Sequence, residues 1–289
     1  MTTISPRVDL AFKKIFGVEE NKDLLIGLIN SMMSEEDQIN ELTILNPYNP
    51  KNFKTDKLSI LDIKAKSEDG RRINIEMQIS DEADYDKRAL YYWGKLYTEQ
   101  LQQAEDYSQL SKAVGIHILN FTSIPELTKY HNVFHIKERD TNFHYFENLE
   151  LHTVELTKFI SEKDKELSTI LKKIKTALDV WVTFLTRHDL LNKDDLPKEL
   201  ANENLKKALT VLEVMNFNAE EREAYDSHLK WLMIEANTLR KYEQKGIEQG
   251  RGEEKREIAL NLLKKGISVQ DIADVTCLSI DEINKLDGK

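Results

Sequence analysis

A single cysteine, Cys277, stands in the whole chain. One thiol can neither close an intramolecular disulfide nor build a multi-cysteine zinc site. Long apolar runs are missing too: no uninterrupted stretch approaches the ~20 residues that a membrane-spanning helix needs. The opening MTTISPRVDLAFKK has no apolar core of the secretory kind, so the expected location is the cytoplasm and no membrane partner is expected. Positive charge is in short supply, with 41 Lys and Arg against 51 Asp and Glu and a net charge of −10. That balance excludes a protein that coats nucleic acid through bulk charge, and confines any DNA contact to a local basic groove. What remains describes a globular chain: 289 residues, 40% hydrophobic and 32% charged, enough for one large domain or two modest ones.

The most informative stretch is LSILDIKAKSEDGRRINIEMQIS, Leu58 to Ser80. Leu58–Lys66 and Arg72–Ser80 alternate apolar and polar residues, and Ser67-Glu68-Asp69-Gly70 is turn chemistry, which predicts a β-hairpin. Leu61, Ile63 and Ala65 share one face with Ile73, Ile75, Met77 and Ile79. The other face carries Asp62, Lys64 and Lys66, then Asn74, Glu76 and Gln78. Cross-strand partners must lie on the same face. A loop of Glu68-Asp69-Gly70, with Gly70 free to take positive φ, satisfies that rule and sets Asp62 directly opposite Glu76. Opposed carboxylates repel unless a cation lies between them, and a divalent metal with oxygen ligands is the natural cation.

The segments on either side are less specific. Residues 7–33 read as two short helices, the first stopped at Gly17. Asp9 and Lys13 share a side of the first, as an ordinary helix ion pair would. Glu41–Pro47 reads as a short strand, and NPYNPKNFKTDK after it as a solvated loop whose lysines, with Tyr48 and Phe53, are candidates to meet phosphate. Asp84–Tyr107 reads as one long amphipathic helix with Leu90, Trp93, Leu96, Tyr97 and Leu101 inward. Arg88, Tyr91 and Lys95 recur on another side of it. Lys112–Thr122 is an apolar run suited to a buried central strand, with His117 a core histidine inside it. Asn132–Lys137, Asn142–Glu147 and Leu149–Leu156 follow as strands. His131 and His135 stand four apart, which pairs them on a helix; on a strand that spacing covers roughly 13 Å, too far to share a metal, so no zinc is assigned.

From Ser161 the pattern turns helical, and the domain boundary falls near 158–165. Three regions result: a core over 1–160, a helical region over 161–243, and a glycine-containing linker with a small helical tail over 244–289. Asn218 and Glu221 have the spacing of a capping box. Gly246 and Gly250 fall on one side if their stretch is helical, allowing close approach of another helix. The tail scans like a helix-turn-helix, but Asp281 and Glu282 open its last helix and repel phosphate, which favours packing or partner binding over DNA reading.

An Asp on one strand and Glu-x-Gln on its hairpin partner resembles the PD-(D/E)XK nuclease arrangement, with Gln in place of the usual Lys. The ordered segments VDLAFKKIFG, LDIKAKSEDGRRINIEMQ, KRALYYWGKLYTEQL and IALNLLKKGISVQDIADVTCLSIDEI look like the Rpn family of recombination-promoting nucleases, often described as transposases. The resemblance implies an α/β fold: a restriction-endonuclease-like core, a mixed sheet flanked by helices, then an all-α C-terminal region. It implies metal-dependent DNA endonuclease activity, with Mg²⁺ the default and other divalent cations admissible, linked to recombination or to mobile-element and foreign-DNA handling. By position, Asp62 and Glu76 would hold the metal and Gln78 would take the lysine's place. Asp9 would complete or orient the shell, and Lys64, on the same face, would supply the missing positive charge. Lys13, Arg88, Tyr91 and Lys95 are the candidate substrate-binding residues. Cys277 stands where the family commonly has Gly, and Ala104-Glu105 also departs from a usual Gly. The alternative is a catalytically weak or inactive nuclease-fold protein acting through its C-terminal helices, which are also the candidate surface for homo-oligomers.

Overall fold

The structure is a computed structural model and describes residues 4–48, 62–81, 84–102, 105–161 and 164–286. Expectations for Leu58–Leu61 and for the loop beyond Tyr48 lie outside the described residues. The described chain runs α1 (Asp9–Phe16), α2 (Lys22–Asn30), β1 (Leu42–Ile44), β2 (Asp62–Ser67), β3 (Arg72–Gln78), α3 (Tyr85–Thr98), β4 (Ala113–Leu119), β5 (His131–Lys137), β6 (His144–Glu155) and α4 (Leu156–Phe159). Then come α5 (Leu167–Leu171), α6 (Ala177–Arg187), α7 (Glu203–Val214), α8 (Ala219–Lys264), α9 (Val269–Thr276) and α10 (Ile280–Leu286). Contacts divide the chain into two units, Met1–His228 and Leu229–Lys289.

The first unit holds a mixed sheet in the order β1-β2-β3-β4-β6-β5. β3, β4 and β6 run parallel, and the remaining pairs are antiparallel. Alternation divides the two faces as the sequence pattern requires. Ile63, Ala65, Ile73, Ile75, Met77, Val114, Ile116 and Ile118 are buried on one face. α1 covers it, with Gly17 against Ile63. Phe16 of α1 meets Trp181 and Phe184 of α6 at centroid distances of 5.4 and 6.5 Å. Each fully buried Phe of this kind contributes about 1.5–3 kcal/mol. These rings tie the helices after Ser161 into the same core as the sheet.

The opposite face carries Asn74, Glu76, Gln78, Gly115 and His117, and α3 lies over it. Trp93 Nε1 donates to the Ala113 carbonyl at 2.8 Å, and a Cβ at Gly115 would press on the end of the Leu151 side chain and lie close to the His117 ring. α3 ends at Thr98, earlier than the periodicity predicts. Gln100 exchanges two hydrogen bonds with the Ser111 backbone, at 2.9 and 3.0 Å, and so turns the chain back toward β4. The inward stripe of α3 is Tyr85, Ala89 and Leu96; Leu90, expected inside, is 55% exposed because it lies off that stripe. The strands expected at Asn142–Glu147 and Leu149–Leu156 are one strand, β6, since pairing with β4 and β5 continues along it.

Asn218 and Glu221 form the expected box at the start of α8, each backbone N–H meeting the other side chain at 2.8 Å. Glu221 also accepts from Lys14 at 2.9 Å and from the Tyr48 hydroxyl, so that ring is committed to a carboxylate and not to phosphate.

α8 is 46 residues long and runs through Gly246, Gly250 and Gly252. The stretch expected to be a linker is therefore helical, since its Glu, Gln, Lys and Arg neighbours are strong helix formers. In the second unit, Ala259, Ile272 and Ile283 make a small core between α8, α9 and α10. Ser279 and Glu282 cap α10, the Ser279 N–H donating to Glu282 at 2.9 Å. Cys277 has φ 55 at the end of α9. This left-handed position is one where glycine is favoured.

Candidate active site

β2 and β3 pair with Asp62 opposite Glu76, Lys64 opposite Asn74 and Ala65 opposite Ile73. Gly70 takes φ 91, and the Ser67 N–H donates to the Arg71 carbonyl at 3.0 Å, closing the Glu68-Asp69-Gly70 loop. The loop chemistry thus produces the register read from the pattern. Directly opposed residues of an antiparallel pair stand about 4.5–5.5 Å apart at Cα, close enough for two carboxylates to reach one ion.

Glu76 also lies beside His117 across the parallel β3–β4 pair. Its side chain is 12% exposed, and Oε2 is 3.7 Å from His117 Nδ1. The Tyr85 hydroxyl shares a 2.7 Å hydrogen bond with the same Nδ1. His117 is 3% exposed, a satisfied core histidine as its apolar setting suggested. Burial brings its pKa down to about 4, with the Arg88 charge and then His152 adding to the effect. At neutral pH this imidazole is uncharged and adds no compensating charge beside Glu76.

Gln78 extends the same face. Its Oε1 accepts from Arg88 Nη2 at 3.0 Å, and its Nε2 donates to the Ser80 carbonyl at 3.2 Å. The Arg88 guanidinium also lies 5.2 Å from the centre of the Tyr85 ring. Lys64 Nζ lies 3.9 Å from Glu99, so Arg88 rather than Lys64 is the cation in contact with Gln78. Lys95 pairs with Glu99 at 3.3 Å, and Tyr91 is 66% exposed, edge-on to Tyr92. The expected side of Arg88, Tyr91 and Lys95 is therefore split: Arg88 enters the site and the other two stay at the surface.

Asp9 and Lys13 are both buried, 9% and 4% exposed. They belong to the helix over the apolar face, and both are engaged in interactions. Arg7, just before, donates to Asn120 Oδ1 at 2.6 Å, which puts the start of α1 at the strand ends that carry Gln78. Among the described residues no group of three or more His, Cys, Asp or Glu is gathered to hold a metal. The pairing of Asp62 with Glu76 offers hard oxygen donors at opposed positions, and this donor set fits a hard divalent cation.

The other histidines meet across β5 and β6. His131 Nε2 lies 2.9 Å from His152 Nδ1, and His152 Nε2 lies 2.8 Å from Glu150. Lys112 completes the chain at 2.8 Å from Glu150. The sequence reading missed this contact, and missed Tyr85 and Asn120 beside the site. Tyr85 stands three residues before Arg88, a helical neighbour spacing, so that part was readable; its partner His117 is 32 residues away, and nothing local announces it.

The family model described as PD-(D/E)XK nuclease family transposase matches residues 6–242 of the chain. No curated protein and no solved structure matches it.

Proposed function

The chain belongs to the PD-(D/E)XK nuclease family transposases, and from that premise we propose that it is a DNA endonuclease that cuts phosphodiester bonds at the β2–β3 hairpin with a divalent cation, Mg²⁺ by default. The observation that carries the reading is the register that opposes Asp62 and Glu76 on the polar face of the sheet. Two like charges facing each other there cost stability, and a shared cation offsets that cost. Asp62 and Glu76 would hold the ion, and His117, held by Tyr85, packs against Glu76 and limits its motion. The bound ion would supply charge stabilisation at the phosphate and a water of lowered pKa.

Gln78 is neutral and cannot replace a lysine's charge. Its contact with Arg88 supports a division of that role, in which Gln78 orients the guanidinium and Arg88 faces the phosphate. Asp9 in the first turn of α1 and Lys13 in its last, both buried, are proposed to brace the sheet from its other side. A role in recombination or in handling mobile and foreign DNA fits such an activity.

The test is cleavage of supercoiled plasmid with and without Mg²⁺, beside Asp62→Ala and Glu76→Ala. Mg²⁺-dependent nicking is expected from the wild-type chain, with each variant and EDTA lowering the rate by at least on the order of 100-fold. Cleavage indifferent to both carboxylates removes this site. No cleavage with any of several divalent ions favours a nuclease fold used for protein–protein interaction.

A further inference from the structure

Tyr85 lies where the two halves of the candidate site meet. It is the first residue of α3, entered through Asp84 at φ 62, and it is 6% exposed. Its ring is held from three directions. The His117 and Phe121 rings stand nearly perpendicular to it at centroid distances of 5.8 and 5.9 Å, and the Arg88 guanidinium lies 5.2 Å from its centre. Its hydroxyl shares the 2.7 Å hydrogen bond with His117 Nδ1. A buried ring so enclosed cannot turn without displacing its neighbours.

Two chains of contact run from this side chain. The hydroxyl leads through His117 Nδ1, 3.7 Å from Glu76 Oε2, to the carboxylate that faces Asp62. The ring leads through Arg88, whose Nη2 donates to Gln78 at 3.0 Å, to the cation assigned to the phosphate. A guanidinium over an aromatic face is attracted by the ring's π cloud and keeps its planar fork for other partners. Hydroxyl and ring therefore serve different neighbours, and each can be removed without the other.

We propose that Tyr85 is a positioning residue that holds the metal-ligating carboxylate and the phosphate-facing guanidinium in one frame. Its hydroxyl fixes Glu76 through His117, and its ring fixes Arg88. The role rests on the reading of the hairpin as a nuclease site. It adds a division by atoms, with the hydroxyl serving metal affinity and the ring serving DNA affinity.

The test reads the two affinities apart. Mn²⁺ binding is measured by calorimetry without DNA, and binding of a fluorescein-labelled duplex by anisotropy in EDTA, so that cleavage does not intervene. Tyr85→Phe is expected to bind Mn²⁺ about fivefold more weakly and the duplex as tightly as the wild-type chain, since only the hydroxyl is lost. Tyr85→Leu is expected to lose about fivefold in both, since the ring goes too. Phenylalanine thus restores duplex binding and leaves metal binding impaired, a split that general loosening of the fold does not produce. A folded pair of variants without this split overturns the proposal. If Tyr85→Leu does not fold, Tyr85→Phe decides: weaker Mn²⁺ binding with duplex affinity intact supports the role, and parallel losses or no loss overturn it. Where wild-type Mn²⁺ binding still requires Asp62 and Glu76, that failure leaves the nuclease reading standing. A wild-type chain without Mn²⁺ binding, or without duplex binding, overturns both.

Discussion

Gln78 is where residue chemistry matters most, because on the proposed reading an amide stands where the superfamily usually has an ammonium. Two cations lie on that side of the sheet. Lys64 is on the correct face but leans to Glu99, whereas Arg88 donates to Gln78 itself. An arginine steered by a neighbouring amide is better defined than a lysine paired with an exposed carboxylate. In plasmid cleavage, Arg88→Ala is therefore expected to lower the rate on the order of 10²-fold, and Lys64→Ala only a few-fold. Equal losses, or a larger one at Lys64, would return the charge to Lys64. The opposition of Asp62 and Glu76 was legible beforehand, since a period of two and one glycine loop leave a single register. The Arg88–Gln78 contact was half legible: helical spacing grouped Arg88 with Tyr91 and Lys95, but packing under α3 decided which of them entered. The contact of Tyr85 with His117 was invisible, because it depends on β4 lying beside β3.

At the scale of elements, β5 and β6 show how pairing creates chemistry that spacing alone denies. His131 and His135 lie along one strand, yet His131 meets His152 from the next. Burial, and after it the charge of His152, bring the His131 pKa down to about 4, against the pull of Glu150 and with Lys129 adding to the fall. Burial opposes ionisation of Glu150, but His152 and Lys112 bring its pKa down to about 2. The two groups act in different pH windows. His131 folds uncharged, so the unfolded chain takes up its proton first; the stability it carries is complete above ~6.5 and lost as pH falls to about 4. Glu150 contributes above ~4.3 and loses its contribution as pH falls to about 2. Between pH 7 and 4.5 the melting temperature of the wild-type chain should fall more than that of His131→Asn. The difference should correspond to on the order of 2 kcal/mol after allowance for partial exposure. Parallel pH curves for the two proteins would remove His131 from the acid response. Element types were largely readable here because apolar runs and alternation are local; the single strand β6 and the early end of α3 were not, because pairing partners and the Gln100–Ser111 clasp set them.

The whole molecule joins a nuclease-type unit to a helical one through a helix that no glycine interrupts. Composition placed a linker there, yet α8 continues past Gly246, Gly250 and Gly252. Among the described residues, a Cβ at any of the three meets nothing within 4 Å. Each glycine costs the helix about 1 kcal/mol relative to alanine. Gly246 and Gly250 stand four apart, so they share a side of α8 on which another helix can approach closely. That geometry supports self-association of the chain through α8. The wild-type protein is accordingly expected to sediment as a species larger than its 33.7 kDa monomer at micromolar concentration. Gly246→Leu with Gly250→Leu keeps the helix and fills the approach, and should shift the distribution to the monomer. The Ala pair should retain or raise helicity by circular dichroism with a smaller change in mass. A wild-type chain that is monomeric throughout would mean that the glycines serve no helix contact, and that α8 bears their cost alone.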